Sequence, residues 1–233
     1  MRYILIILLN LAYTQCDAND DGELNVIDVV QQVDCILTGC WDTEYEDGPD
    51  YEDYATVLIN GQLWMAENLR TTHFSNGDPI PYVEWSNQDG LVWTYNYEPA
   101  YAKYDEDPDN AEVYGKLYNQ FAVEDERGLC PVDWHVASQE EYMELANYLG
   151  GEGIAGYRMK DNTWDGDNQV NFSGLPAGCR ASGPANGDCC MGTLAHLWTS
   201  ANMIYAELET NRDDLRFKSK DKRAGKSVRC VAD

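Results

Sequence analysis

Hydrophobic positions in this chain come mostly in short runs. Val57–Ile59, Leu63–Met65, Trp198–Ser200, Ile204–Leu208 and Ser227–Val231 each read as a strand between loops rich in Asn, Gly and Asp. One stretch has a helical period instead. Ser138 suits an N-cap, and Glu141 three residues later completes a capping box. Tyr142, Leu145, Ala146 and Leu149 then recur on one face, and Gly150-Gly151 ends the helix. A second apolar stripe runs through Val26, Ile27, Val29, Val30, Val33, Ile36 and Leu37, with Gly39 as its stop. Few helices, short strands and a large irregular share predict an α+β, loop-rich fold.

The pattern divides the chain into four segments. Residues 1–15 hold the apolar run Tyr3 to Ala12, interrupted by Asn10 and too short to span a bilayer. With Arg2 before it and Ala12-Tyr13-Thr14 after it, this reads as a signal peptide. Tyr3 to Leu9 also has the composition of a buried strand. If retained, it suits donation to the sheet edge of a neighbouring copy. Residues 16–41 form a compact loop-plus-helix unit. Residues 42–54 are an acidic linker, and residues 55–233 form the main domain.

Charge narrows the partners. The chain carries 41 acidic and 16 basic residues, a formal net charge of −25. Such a surface repels phosphate backbones, so no nucleic-acid partner is expected. It suits divalent cations. Eight of the 16 basic residues, from Arg212 to Arg229, crowd the C-terminal end. They read either as a solvated hairpin or as a positive patch for an acidic neighbour.

The strongest local chemistry is Asp17-Ala-Asn19-Asp-Asp21-Gly22-Glu23-Leu-Asn25-Val-Ile-Asp28. Side-chain oxygens of Asp17, Asn19, Asp21, Asn25 and Asp28 fall at loop positions 1, 3, 5, 9 and 12. Gly22 sits where the loop must turn, and Glu23 offers its carbonyl. Calcium takes six to eight hard oxygens from a flexible loop, so calcium is the expected ion. The loop resembles one calcium-binding half-repeat of a dockerin. Dockerins carry two such halves and this chain has one. The role implied is structural, an ion that folds a small unit. Asp105–Asn110 and Asp161–Asn168 also gather oxygens, without a defined coordination spacing.

Eight cysteines stand at Cys16, Cys35, Cys40, Cys130, Cys179, Cys189, Cys190 and Cys230. None forms a Cys-x-x-Cys pair, which argues for disulfides over a thiolate zinc site. Disulfides imply an oxidising compartment.

Several segments resemble the Fibrobacter succinogenes major paralogous domain, a family of secreted bacterial modules. They are Gly61-Gln-Leu-Trp-Met-Ala-Glu-Asn-Leu-Arg70, Tyr114-Gly-Lys-Leu-Tyr-Asn119 and Gly128-Leu-Cys-Pro-Val-Asp-Trp-His-Val136. Phe172-Ser-Gly-Leu-Pro-Ala-Gly178, Leu197-Trp-Thr-Ser200 and Ser227-Val-Arg-Cys-Val231 follow in the family's order. The resemblance implies a C-type-lectin-like fold and an extracellular or cell-surface location. In such folds the Cys130 and Cys230 regions meet, which implies a Cys130–Cys230 bond. Cys179 is then left for Cys189 or Cys190. The remaining vicinal cysteine is left for the N-terminal unit or another subunit.

The family resemblance carries no catalytic residues. No Gly-x-Ser-x-Gly, His-Glu-x-x-His or phosphate-loop motif is present. His135 and His196 both read as packed side chains beside tryptophans. Most tryptophans read as core, with Trp85 and Trp93 the candidates for stacking on a glycan. The expectation is a non-enzymatic, calcium-binding structural or adhesive protein that self-associates. A carbohydrate-binding module and a dockerin-type anchor are the alternatives.

Overall fold

The computed structural model describes residues 54–85, 91–183 and 187–233. The candidate calcium loop Asp17–Asp28, with Cys16, Cys35 and Cys40, lies outside the described residues.

The described residues open on an antiparallel hairpin, β1 (Thr56–Ile59) and β2 (Gln62–Met65). A single turn, α1 (Leu91–Thr94), precedes β3 (Tyr101–Ala102). Next come α2 (Pro108–Tyr114), β4 (Leu117–Tyr118) and α3 (Gln120–Val123). Then follow β5 (Trp134–Val136), α4 (Gln139–Tyr148) and α5 (Glu152–Met159). The last third is strands: β6 (Cys179–Arg180), β7 (Asp188–Cys189), β8 (Leu194–Trp198), β9 (Ile204–Glu209), β10 (Arg216–Ser219) and β11 (Cys230–Ala232). They make small sheets, ordered β1-β2-β11-β5 and β10-β9-β8, with β3-β4 and β6-β7 as pairs. The fold is α+β and loop-rich.

The helix foreseen after Ser138 forms with its capping box. Ser138 Oγ accepts from Glu141 N, and Glu141 accepts in return from Ser138 N at 2.7 Å. Its apolar face packs Tyr142 and Leu145 under Trp64 and Phe172, with Trp64 and Tyr142 ring centroids 5.2 Å apart. Two further helices run against the sequence signals. Asp107, in one of the oxygen-rich stretches, caps α2 by accepting from Asp109 N at 2.9 Å, with Pro108 opening the helix. α5 contains Gly153 and Gly156, which normally weaken a helix. Gly156 is needed because a Cβ there would collide with the Asp214 carbonyl. Tyr157 N donates to the neighbouring Asp213 carbonyl at 2.9 Å, which holds that close approach.

Residues 224–231 are buried without a break. Their backbone is shared among several elements. Lys226 exchanges hydrogen bonds with Tyr118 of β4, and Gly225 with Arg180 of β6. Ser227 bridges to β8, and Arg229 O accepts from Ala137 N at 3.0 Å. This central segment is why the C-terminal basic residues do not make a free positive patch. Lys226 and Arg229 are fully buried. Arg212 pairs with Asp214, Arg216 and Lys218 with Glu207, Lys222 with Glu124 and Arg223 with Asp221.

Candidate functional site

The structure places the predicted site residues in very different settings. Cys130 and Cys230 are bonded, joining the loop before β5 to β11 across 100 residues of chain. Cys179 and Cys189 stand directly opposite in the β6–β7 ladder, with sulfurs 2.6 Å apart. Cys190 is exposed and in the left-handed region. Trp93 is not a surface residue: it is 1% exposed and lies under the Arg180 guanidinium, 5.4 Å from its ring centroid. It was a glycan candidate because nothing in its flanking sequence marks the burial. Trp85 is half-buried against the same small cluster.

His135 also departs from expectation. It is a bridge between Glu141 at 2.8 Å and Asp233 at 2.6 Å, open to solvent on one side. Burial works against its charge, but the two carboxylates prevail and raise its pKa. His196 is packed as foreseen.

The densest chemistry surrounds Lys226, between β8, β9 and the β6–β7 hairpin. Its ammonium lies 3.7 Å above the Tyr205 ring and donates to His196 Nδ1 at 3.3 Å. That contact fixes the imidazole. Nδ1 must accept, so Nε2 carries the proton and donates to Glu207 Oε2 at 2.9 Å. A second proton would face the ammonium directly. Burial, ahead of the opposing Glu207 contact, lowers the His196 pKa to about 4. Burial resists the Glu207 charge as well, but donors from His196 and Lys218 outweigh it and hold that carboxyl at about 2. Desolvation brings Lys226 itself down to about 8, partly offset by the Cys179 sulfur.

Beside this triad opens a cavity of about 460 Å³, lined by Cys179, Cys189, Arg180, Asp188, Lys220 and Lys226 among others. Arg180 is wholly buried and almost fully satisfied. Its Nε and Nη2 donate to Asp188 at 2.6 and 2.8 Å, and Nη2 reaches Glu106 at 2.7 Å. The carbonyls of Val83 and Lys103 take the rest. Gly178 lets the hairpin close over the cavity: its φ is 71°, and a Cβ would collide with the Cys189 carbonyl. Lys220 and Lys226 gave no sequence signal, since they sit inside a run that reads as solvated charge, and Arg180 stands as a lone basic residue beside Cys179.

Among the described residues, no group of three or more His, Cys, Asp or Glu side chains is placed to hold a metal ion. Asp165, in the second acidic loop, instead pairs with buried Lys160 at 3.2 Å. Among the described residues, no helix is long and apolar enough to cross a membrane.

Comparison with known proteins locates the domain. The model of the Fibrobacter succinogenes major domain matches residues 57–232. Searches of the curated proteins and of the solved structures find no match. The matched region runs from β1 to β11 and includes the Cys130–Cys230 bond, the Lys226 cluster and the cavity. This 233-residue chain therefore belongs to the Fibrobacter succinogenes major domain family.

Proposed function

We propose that the chain is a secreted, non-catalytic structural or adhesive protein of a bacterial cell surface or extracellular assembly, with a calcium ion in its Asp17–Asp28 loop. The observation that carries this reading is the Cys130–Cys230 disulfide, which ties the last strand into the domain. Such bonds persist in oxidising compartments outside the cytosol. The C-type-lectin-like assignment is part of the proposal. It is supported by the opening β1–β2 hairpin of the domain joining the last strand through β2, with Trp64 of β2 opposite Val231 of β11.

The conspicuous buried charges favour a structural role. Arg180 and Arg229 hold loops through their hydrogen bonds. His196 is held neutral between Lys226 and Glu207. The calcium ion is expected from Asp17, Asn19, Asp21, Asn25 and Asp28 with the Glu23 carbonyl, and self-association from the apolar Tyr3–Leu9 run.

Native mass spectrometry of the exported protein, with and without a calcium chelator, tests the reading. The expected result is one calcium per chain in an oligomer that comes apart when the ion is removed. A monomer that binds no calcium would overturn it.

A further inference from the structure

The cavity beside β6 and β7 combines features that none of the motifs above requires. Two thiols in cross-strand register line it, with sulfurs at 2.6 Å. A disulfide needs ~2.05 Å, so a small closure of the two facing thiols is enough to join them. Two ammonium groups, Lys220 and Lys226, line the same cavity. Neither Lys220 nor Lys226 has a carboxylate in salt-bridge range among the described residues, whereas Arg180 is neutralised by Asp188 and Glu106. The cavity is thus locally basic on a chain of net charge −25.

We propose that this cavity is a thiol–disulfide exchange site, in which Cys179 and Cys189 close reversibly to a disulfide and the two lysines select anionic disulfides as reaction partners. Cys179 is the first nucleophile. Its pKa is lowered, chiefly by the hydrogen bond from the Cys189 thiol and further by Lys226, against the effect of burial. Having lost its proton to solvent, the Cys179 thiolate attacks one sulfur of a disulfide R–S–S–R. A Cys179–S–S–R bond forms, and R–S⁻ departs with the electron pair of the broken bond. The Cys189 thiol then releases its proton to solvent, and its sulfur attacks Cys179 Sγ. The second R–S⁻ leaves as the protein disulfide forms. Two protein thiols are oxidised by two electrons in all, and one disulfide is reduced to two thiols.

Reversal does not require the hairpin to come apart. Arg180 and Asp188 each adjoin one of the two cysteines, and their paired hydrogen bonds hold the strands in register in either redox state. Cys190 stays outside the exchange. It is exposed just after β7, in the left-handed region, whereas the ladder sets Cys189 and not Cys190 opposite Cys179.

The test uses the full chain, reduced and then exposed at low ionic strength to oxidised glutathione (anionic) or cystamine (cationic). Each rate is normalised to that reagent's rate with free cysteine. Alkylation and peptide mass mapping follow each thiol separately. The expected result is joint loss of labelling at Cys179 and Cys189, a peptide linking the two, and persistent labelling at Cys190. Oxidised glutathione is expected to react faster by about tenfold, although it is the bulkier reagent. Lys220→Gln, a change at an exposed side chain, should narrow that ratio. Continued labelling of Cys179 and Cys189 after oxidation would overturn the proposal. So would a Cys179–Cys190 link, or cystamine reacting as fast as glutathione disulfide. The N-terminal cysteines and the calcium loop do not enter this readout, so its failure is distinct from failure of the structural reading.

Discussion

Arg229 shows how much one residue does here. Its guanidinium is fully buried and, among the described residues, has no carboxylate in salt-bridge range. Nε donates to Asn68 Oδ1 at 2.7 Å, Nη1 to the carbonyls of Met65 and Phe172, and Nη2 to that of Ser173 at 2.9 Å. The Phe172 ring lies 4.5 Å below it. Burial lowers its pKa to about 10, far from deprotonation at neutral pH. A charge placed this way is costly, and the surrounding acceptors offset the cost only together. Arg229→Met keeps much of the volume and strands these acceptors. Each buried acceptor left bare costs about 1 kcal/mol or more, so the expected loss is at least ~3 kcal/mol. Urea unfolding reads it as a lower midpoint at similar slope. A change below ~1 kcal/mol would show that water or rearrangement satisfies those acceptors without the guanidinium.

At the scale of elements, the β8–β9 hairpin carries a pH response. His196 and Glu207 are direct cross-strand partners. The folded His196 pKa of about 4 lies below its ordinary 6.5, so between those values the unfolded chain binds the extra proton. Stability is therefore intact above pH ~6.5 and falls as pH drops toward 4, by a term on the order of 3 kcal/mol. Glu207, held at about 2 against an ordinary 4.5, adds a loss that begins below about 4.5. Thermal melts from pH 7 to 4 should decline in the wild type, and His196→Gln should flatten the upper part of that decline. Equal slopes in both proteins would remove His196 from the account.

The same elements show what the sequence makes legible. α4 was readable because Ser138 and Glu141 signal locally and the apolar period follows at once. β1 and β2 were readable to within one residue. The strand expected at Trp198–Ser200 instead ends at Trp198, having begun at Leu194. The one expected at Ser227–Val231 pairs in a sheet only from Cys230, because residues 225–227 bridge to three different partners. α5 was hidden by glycines whose purpose is tertiary, a close approach to the Asp214 carbonyl. The cavity was invisible for the same reason. Its lysines are basic letters in a basic run, and only packing distinguishes buried Lys226 from exposed Lys220.

At the scale of the whole domain, closure rests on tying its last strand to the loop before β5 and to β2. The Cys130–Cys230 bond spans 100 residues, a loop whose cross-link stabilises by about 4–5 kcal/mol in the chain-entropy account. A Cys130→Ser/Cys230→Ser protein should therefore unfold that much more readily in denaturant. Retention of wild-type stability would mean that packing around Val231 and Trp64 closes the domain unaided. The acidic surplus belongs to this scale too. With most C-terminal cations engaged in internal ion pairs, the outer face presents carboxylates, which favours solubility in media rich in divalent cations.

Buried and half-buried arginines and lysines repeatedly address main-chain carbonyls. Arg180 reaches those of Val83 and Lys103, Lys160 those of Glu209 and Arg212, and Arg223 that of Thr94. A carbonyl is the one group every amino acid contributes alike. A loop moored by its backbone can exchange its side chains over generations and keep its anchorage. The frame and the lettering of its outer loops are then free to evolve at different rates, and the exposed residues 211–213, where Lys160 holds the Arg212 carbonyl, are the natural place to graft a foreign peptide for display.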